Sequence, residues 1–221
     1  MGGILIAIDG PAGSGKSSVA RTVAERLGLV NLNTGAAYRA VAFLALREQA
    51  ELDAPQDLAA LAGRVGLTED GARVDGQMVE DEALRTPEVA AAASKVSAYP
   101  EVREVLLSVQ REAAEKAREG GGAVIEGRDI GTVILPDADL KVFLSAAPEE
   151  RARRRAVQSG RESELERIRE AMSRRDRQAS ERESSPLKSA PDAVVIDTTG
   201  LGLEEVVSRV TGLAEDLRGG P

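Results

Sequence analysis

The chain has 221 residues, 30% of them charged with a net charge of −8, only 2% aromatic, and no cysteine or histidine at all. Those absences exclude disulfides, thiol nucleophiles and histidine triads, so any chemistry rests on carboxylates, Lys, Arg, hydroxyls, backbone amides and a borrowed metal ion. No apolar run nears the ~20 residues of a membrane span, and Met1-Gly2-Gly3 leads straight into a strand, which predicts a cytoplasmic protein with no membrane partner.

In chain order, the apolar run Ile4–Asp9 predicts a buried strand, and Gly10-Pro11-Ala12-Gly13-Ser14-Gly15-Lys16-Ser17 directly after it fits the phosphate-loop pattern G-x-x-x-x-G-K-[ST]. Val19, Val23, Ala24 and Leu27 then recur at helical spacing, with Ser18 in the first turn and Gly28 as a stop. A strand before and a helix after aim the loop's amides and the helix N-terminus at one point in space. Glycines 10, 13 and 15 let the amides close around phosphate oxygens, Lys16 can reach the β and γ oxygens, and the Ser17 hydroxyl can ligate Mg²⁺. The pattern therefore predicts a nucleoside triphosphate site, with Mg²⁺. Further strands are predicted at Leu29–Leu32, Ala123–Glu126, Leu140–Leu144 and Ala193–Asp197, with helical patterns between them. That alternation argues an α/β fold with a doubly wound parallel five-stranded sheet, whose ligands gather at the carboxyl ends of the strands, where Asp9, Glu126 and Asp197 fall. Asp197 reads as an ordinary strand-end acid.

Between Gly66 and Gln77 the alternation breaks: short segments are punctuated by Asp70-Gly71 and Asp75-Gly76, which is hairpin chemistry. Residues 65–100 are expected to form an inserted module ending in a helix opened by Thr86-Pro87-Glu88, with 1–64 and 101–221 as the core domain. Between Arg151 and Arg182 eleven Arg stand against six acids, a local charge of +5 in an acidic chain. Such a segment suits an anionic ligand of limited size better than a nucleic acid, which the acidic remainder would repel and which the sparse aromatics could not stack. Arg161, Arg167 and Arg169 read as solvated helix charges paired with Glu. Arg151, Arg153, Arg154 and Arg155 cluster behind Pro148-Glu149-Glu150, and residues 150–182 read as an arginine lid with its following helix.

A phosphate loop also serves switch GTPases, but Asp197-Thr198-Thr199-Gly200 comes after the last strand and no Asn-Lys-x-Asp base reader occurs. A small-molecule kinase fits better, because phosphoryl transfer needs charge neutralised, oxygens held in line and water excluded. An adenylate- or shikimate-type kinase, or a non-catalytic nucleotide- or RNA-binding module, are the alternatives; an acceptor panel separates the first group and a steep salt dependence of RNA binding the second.

Six segments carry a more specific signal: IDGPAGSGKSS in the loop, NTGAAYRA at 33–40, RTPEVAAAASKVSAYPEVRE at 85–104, EGRDIGTVILPDA at 126–138, ERARRR at 150–155 and SSPLKSAPDA at 184–193. In collinear order over nearly the whole chain they resemble the bacterial cytidylate kinases. The resemblance implies the nucleoside monophosphate kinase fold with an inserted acceptor module, and transfer from ATP to CMP or dCMP; a monomer is expected. It further implies that Thr34, Tyr38 and Arg39 face the acceptor's phosphate and sugar and that Ser94 touches ribose or base. By the same resemblance Arg103, Asp129 and Arg182 read cytosine, while Arg128 and Arg175 join Lys16, Arg151 and Arg154 at the transferring phosphate. Hydroxyls and forked guanidinium groups are good phosphate ligands, and cytosine's N4 donor and N3 and O2 acceptors call for one carboxylate and one or two guanidinium groups. Locally, Tyr38 can equally be a core aromatic, Arg39 a helix-surface charge, Ser94 a tolerated helix serine and Asp129 a helix N-cap. Arg177 has no family counterpart and reads as surface. The family pattern R-D-x-x-D-S-x-R meets Ala179 here in place of its second Asp, which removes an acceptor expected near the sugar.

Overall fold

A computed structural model describes residues 2–182 and 185–219; Ser184, which opens the last of the six segments, lies outside the described residues. The chain forms two compact units, Met1–Asn31 with Gly121–Pro221, and Leu32–Gly120. The first unit opens with β1 (Ile4–Asp9), the glycine-rich loop and α1 (Lys16–Leu27). Helix α1 buries Val19, Val23 and Ala24 of the expected stripe together with Ala20, leaves Leu27 half-buried, and ends where Gly28 turns left-handed at φ 65°. Strand β2 (Val30–Asn33) then carries the chain from the first unit into the second.

The second unit contains α2 (Thr34–Arg47), α3 (Pro55–Ala62), β3 (Val65–Thr68), β4 (Gly71–Val74), β5 (Gln77–Met78), α4 (Asp81–Leu84), α5 (Pro87–Val96) and α6 (Pro100–Glu119). Strands β3, β4 and β5 form an antiparallel sheet. Asp75 and Gly76 are the two turn residues between the paired Val74 and Gln77, with φ 51° and 79°, the two positive angles a two-residue hairpin turn demands. The earlier turn is made by Glu69 and Asp70, since Thr68 pairs with Gly71, so Gly71 begins a strand rather than completing the turn. Thr86 caps α5 as its Thr-Pro-Glu context predicts, its hydroxyl accepting from Val89 N at 3.3 Å. This unit is wider than the expected 65–100 module. Val41, Leu44, Leu58, Leu61, Val65, Leu67, Val74, Val89, Val102 and Leu106 belong to one buried cluster, so α2, α3 and α6 share their core with the hairpin. A three-stranded ribbon this short cannot bury an apolar face alone and takes its partners from the helices on either side in sequence.

The first unit resumes with β6 (Gly122–Gly127), a wide helical turn at Ile130–Ile134, β7 (Leu140–Ser145), α7 (Pro148–Ser159), α8 (Leu165–Ser180), β8 (Val194–Asp197) and α9 (Leu203–Arg218). The five-stranded sheet runs β2-β6-β1-β7-β8, and β1 is parallel to both β6 and β7 and β7 to β8. From β1 the chain goes to the edge strand β2, returns as β6 between β2 and β1, and then crosses to β7 and outward to β8, a doubly wound order. The parallel register sets Asp9 beside Gly127 and Phe143, and Ser145 beside Asp197, so these strand ends share one edge. Ile6, Ile8, Val23, Val124, Val142, Leu144, Ile196, Val207 and Val210 fill the core beneath it, joining α1 and α9 to the sheet.

Candidate active site

The glycine-rich loop is pinned by contact as well as by conformation. Gly10 has φ 149°, and a Cβ there would lie 2.1 Å from the Leu144 carbonyl oxygen; at Gly13, φ 75°, it would lie 2.7 Å from Met172 Cε and 2.8 Å from the Arg151 carbonyl oxygen. Gly15 caps α1 with φ 93°. Ser14 is fully buried, whereas Pro11, Ala12 and Ser18 are half-buried. Lys16 Nζ donates to the Pro11 carbonyl at 2.7 Å. Burial, reinforced by the charge of Arg128, pushes its pKa down to about 8. The Ser17 hydroxyl donates to Glu126 Oε2 at 2.7 Å, joining the start of α1 to the end of β6. Asp9 accepts from Ile130 N at 2.9 Å and Gly131 N at 2.8 Å. Its burial outweighs those two amides and raises its pKa to about 6, with the nearby charge of Asp129 adding to the rise.

The segment expected to form a lid is a pair of packed helices, α7 and α8, and α7 has two kinds of arginine. Arg153 and Arg155 face outward, to Glu150 and Gln158. Arg151 and Arg154, three residues apart and so on one face, turn inward. Arg151 donates through Nη1 to the Ala12 carbonyl at 3.1 Å and to Asp176, and through Nε to the Ala146 carbonyl at 3.1 Å. Arg154 donates to Glu150 at 2.8 Å, to the Thr198 hydroxyl at 2.9 Å and to the Thr198 carbonyl at 2.6 Å. Arg128, just past β6, donates to Asp176 Oδ1 at 3.2 Å, and the backbone amide of Ala12 reaches the same oxygen at 3.2 Å. Arg175 is exposed on α8 and makes no hydrogen bond or ion pair among the described residues; Arg177 is exposed, as expected.

Of the residues expected at the acceptor, Thr34, Tyr38, Arg39, Ser94 and Arg103 lie in the second unit. Thr34, the first residue of α2, is buried, and Arg103 on α6 is 7% exposed. The Arg103 guanidinium carbon stands 5.5 Å from the centre of the Tyr38 ring, and its Nη1 donates to the Ser97 carbonyl at 3.3 Å, so Tyr38 serves as the platform for a buried cation while packing against the core. The Arg39 guanidinium folds back toward Gly35, where a Cβ would sit 3.1 Å from its Nη1. The Ser94 hydroxyl donates to the Ala90 carbonyl at 3.1 Å within α5. In the first unit Asp129 is 5% exposed, and its carbonyl, not its side chain, receives the Val133 and Ile134 amides, so a side-chain N-cap role is not what it plays. Arg182 is half-buried past α8. Ala179 is 1% exposed, its carbonyl accepting from Leu187 N at 2.9 Å.

Sequence reasoning left three participants unassigned. Asp176 was visible inside the family's arginine motif but entered only the charge count. Thr198, fully buried with its hydroxyl 3.0 Å from the Ser145 carbonyl and 3.2 Å from the Ser14 carbonyl, ties the end of β8 to the donor loop. Glu126 was seen as a strand-end acid, and its partner Ser17 carries the signal of its role. Among the described residues no group of three or more Asp, Glu, His or Cys could by itself hold a metal ion. A hydroxyl paired with a carboxylate is nevertheless the hard-oxygen donor set that suits Mg²⁺ arriving on a nucleotide's phosphates.

A model of the cytidylate kinase family matches residues 6–216. The chain belongs to the cytidylate kinase family. It is 46% identical to a cytidylate kinase of Desulfitobacterium hafniense, over 96% of this chain and 92% of that protein. It is 47% identical to one of Enterococcus faecalis, over 95% of each, and 44% identical to one of Geobacter sulfurreducens, over 97% and 94%. A solved Thermus thermophilus protein, 23% identical, superposes over the full length of both chains with a TM-score of 0.51, and an uncharacterized Eubacterium ventriosum protein, 14% identical, over 96% and 98% with 0.55; these two share the fold. Among the described residues no helix is long and apolar enough to cross a membrane.

Proposed function

We infer that the chain is a phosphotransferase that moves the γ-phosphoryl group of ATP to CMP or dCMP, giving CDP or dCDP and ADP. The observation that carries this is a phosphate loop at the end of β1, charged by Lys16 and flanked by Arg128 and Arg151, in a chain that matches the cytidylate kinase family along residues 6–216. An oxygen of the acceptor phosphate bonds to the γ phosphorus as the bond to the bridging oxygen breaks, and the electron pair leaves with the β-phosphate of ADP. The protein contributes position and electrostatics, which is what such a transfer requires and what a chain without His or Cys can supply.

Lys16 and the backbone amides of the Gly10–Ser18 loop, Pro11 excepted, take the β and γ oxygens. Ser17, with Glu126 behind it, would hold Mg²⁺, which when bound neutralises charge on those same oxygens. Arg128, Arg151, Arg154 and Arg175 offset the charge that passes from acceptor to leaving group. Arg175 is the best placed of these to accept a new anion, since no protein carboxylate is bonded to it among the described residues. Acceptor recognition belongs to Thr34, Tyr38 and Arg39 for phosphate and sugar, to Ser94 for ribose or base, and to Arg103, Asp129 and Arg182 for cytosine: the carboxylate accepts from the N4 amino group and guanidinium groups donate to N3 and O2. The chain works as a cytoplasmic monomer on small nucleotides, without a nucleic-acid partner. The test is a panel of CMP, dCMP, UMP, AMP and shikimate with ATP and Mg²⁺, reading ADP released. Rapid release with CMP and dCMP is expected; release with AMP or shikimate at the CMP rate would overturn the assignment.

A further inference from the structure

Asp176 has an unusual set of partners. Its Oδ1 receives the Ala12 amide and Arg128, each at 3.2 Å, and its Oδ2 receives Arg151. The side chains of Asp176, Arg151 and Arg128 are 14%, 11% and 25% exposed, so the three charges meet largely out of water. A backbone amide of a phosphate loop and two guanidinium groups form the donor set that a phosphate oxygen would use, and here a carboxylate fills it. A second contact holds the carboxylate there. Met172, one helical turn before Asp176 on the same face of α8, is buried against Gly13, its Cε 2.7 Å from where a Cβ would stand. Lys16 likewise spends its charge on the loop's own Pro11 carbonyl.

We propose that Asp176 is an internal stand-in for the terminal phosphate of the donor: it occupies the Ala12 amide and holds Arg128 and Arg151 in place, and an incoming polyphosphate must exchange with it. The proposal rests on the loop being the donor site. Exchange has two consequences that a purely structural carboxylate would not have. The bound carboxylate weakens polyphosphate binding, because an anion must displace it and then share two cations with it. It also keeps both arginines in place, so turnover needs it even though binding does not. Asp176→Asn, which keeps the shape and removes the charge, should bind inorganic tripolyphosphate about tenfold more tightly than the unmodified chain. Its kcat should fall along with its KM for ATP, and Asp176→Glu should recover part of the kcat.

Calorimetric titration with tripolyphosphate reads the binding without any acceptor, so a failed CMP assignment would not disturb it. Weaker or unchanged binding by a folded Asp176→Asn variant would overturn the proposal. Should that variant not fold, the unmodified chain crystallised with tripolyphosphate decides: Asp176 parted from the Ala12 amide supports exchange, and Asp176 still bonded to that amide refutes it.

Discussion

The Asp75-Gly76 turn and the Gly10–Gly15 loop both carry the chain through positive φ, yet different things hold them. In the hairpin, φ of 51° and 79° follow from the two residues themselves, and beyond its chain neighbours nothing lies within 4 Å of where a Gly76 Cβ would be. In the donor loop a Cβ at Gly10 or Gly13 would run into the Leu144 or Arg151 backbone, and the Ala12 amide ends on a carboxylate 164 residues away. The hairpin is a local structure that packing tolerates. The donor loop is a local motif whose charges are set by distant chain, and its glycines are as much about neighbours as about backbone freedom.

The comparison breaks most sharply at Lys16. Lys16→Ala should lower kcat on the order of a thousandfold, because in the proposed function the removed charge acts on the transferring group. Its melting temperature should stay within about 3 °C of the parent, since burial already disfavours that charge in the fold. Steady-state kinetics beside thermal denaturation checks both halves; a large loss of melting temperature would make Lys16 a structural residue.

Next in size is base choice. Asp129→Asn exchanges an acceptor for a partial donor at a 5%-exposed position, and CMP selectivity over UMP should fall by roughly tenfold or more, the loss expected from one buried base contact of about 1–3 kcal/mol. The ratio of kcat/KM for the two acceptors measures it, and an unchanged ratio would remove Asp129 from the cytosine site.

Acidity separates the two regions in a milder way. Lys16 has its pKa pushed down to about 8, so the cation is present below that pH and lost above it. The kcat/KM for ATP, which reports the free enzyme, should therefore decline as pH rises through about 8. A profile flat to pH 10 would show that Lys16 stays charged despite its burial.

The smallest effect belongs to the hairpin. Gly76→Ala meets no neighbour and bears only the strain of left-handed backbone, about 1 kcal/mol or roughly 2–4 °C in melting temperature, with kcat unchanged. Gly13→Ala, which must displace Met172 and Arg151, should lower activity; equal behaviour of the two variants would erase the distinction drawn here.

Strands, the phosphate loop and the capping of α5 were legible because each is written in adjacent residues: an apolar run, G-x-x-x-x-G-K-S, Thr-Pro-Glu. The inward turn of Arg151 and Arg154 was half-legible, since their spacing puts them on one face of α7 but does not say which way the face points. The carboxylate of Asp176 was not legible, because its partners come from the donor loop, the end of β6 and α7, and no periodicity links such positions. The limits of the second unit were missed for a similar reason. The hairpin's apolar residues share a core with Val41, Leu58 and Leu106 from helices outside 65–100, and a core belongs to contacts rather than to a segment. Ala179 stands where the family motif led to an expected Asp; it is buried, and its carbonyl accepts from Leu187 N, a position that suits a small apolar side chain.

The most direct test of the account follows the phosphorus itself. ATP labelled in its γ-phosphate is incubated with the chain, Mg²⁺ and CMP, and the products are separated. The account predicts label in the β-position of CDP, little in inorganic phosphate, and loss of the CDP signal in Lys16→Ala. Label that appears only as inorganic phosphate, at the same rate with and without CMP, would contradict it.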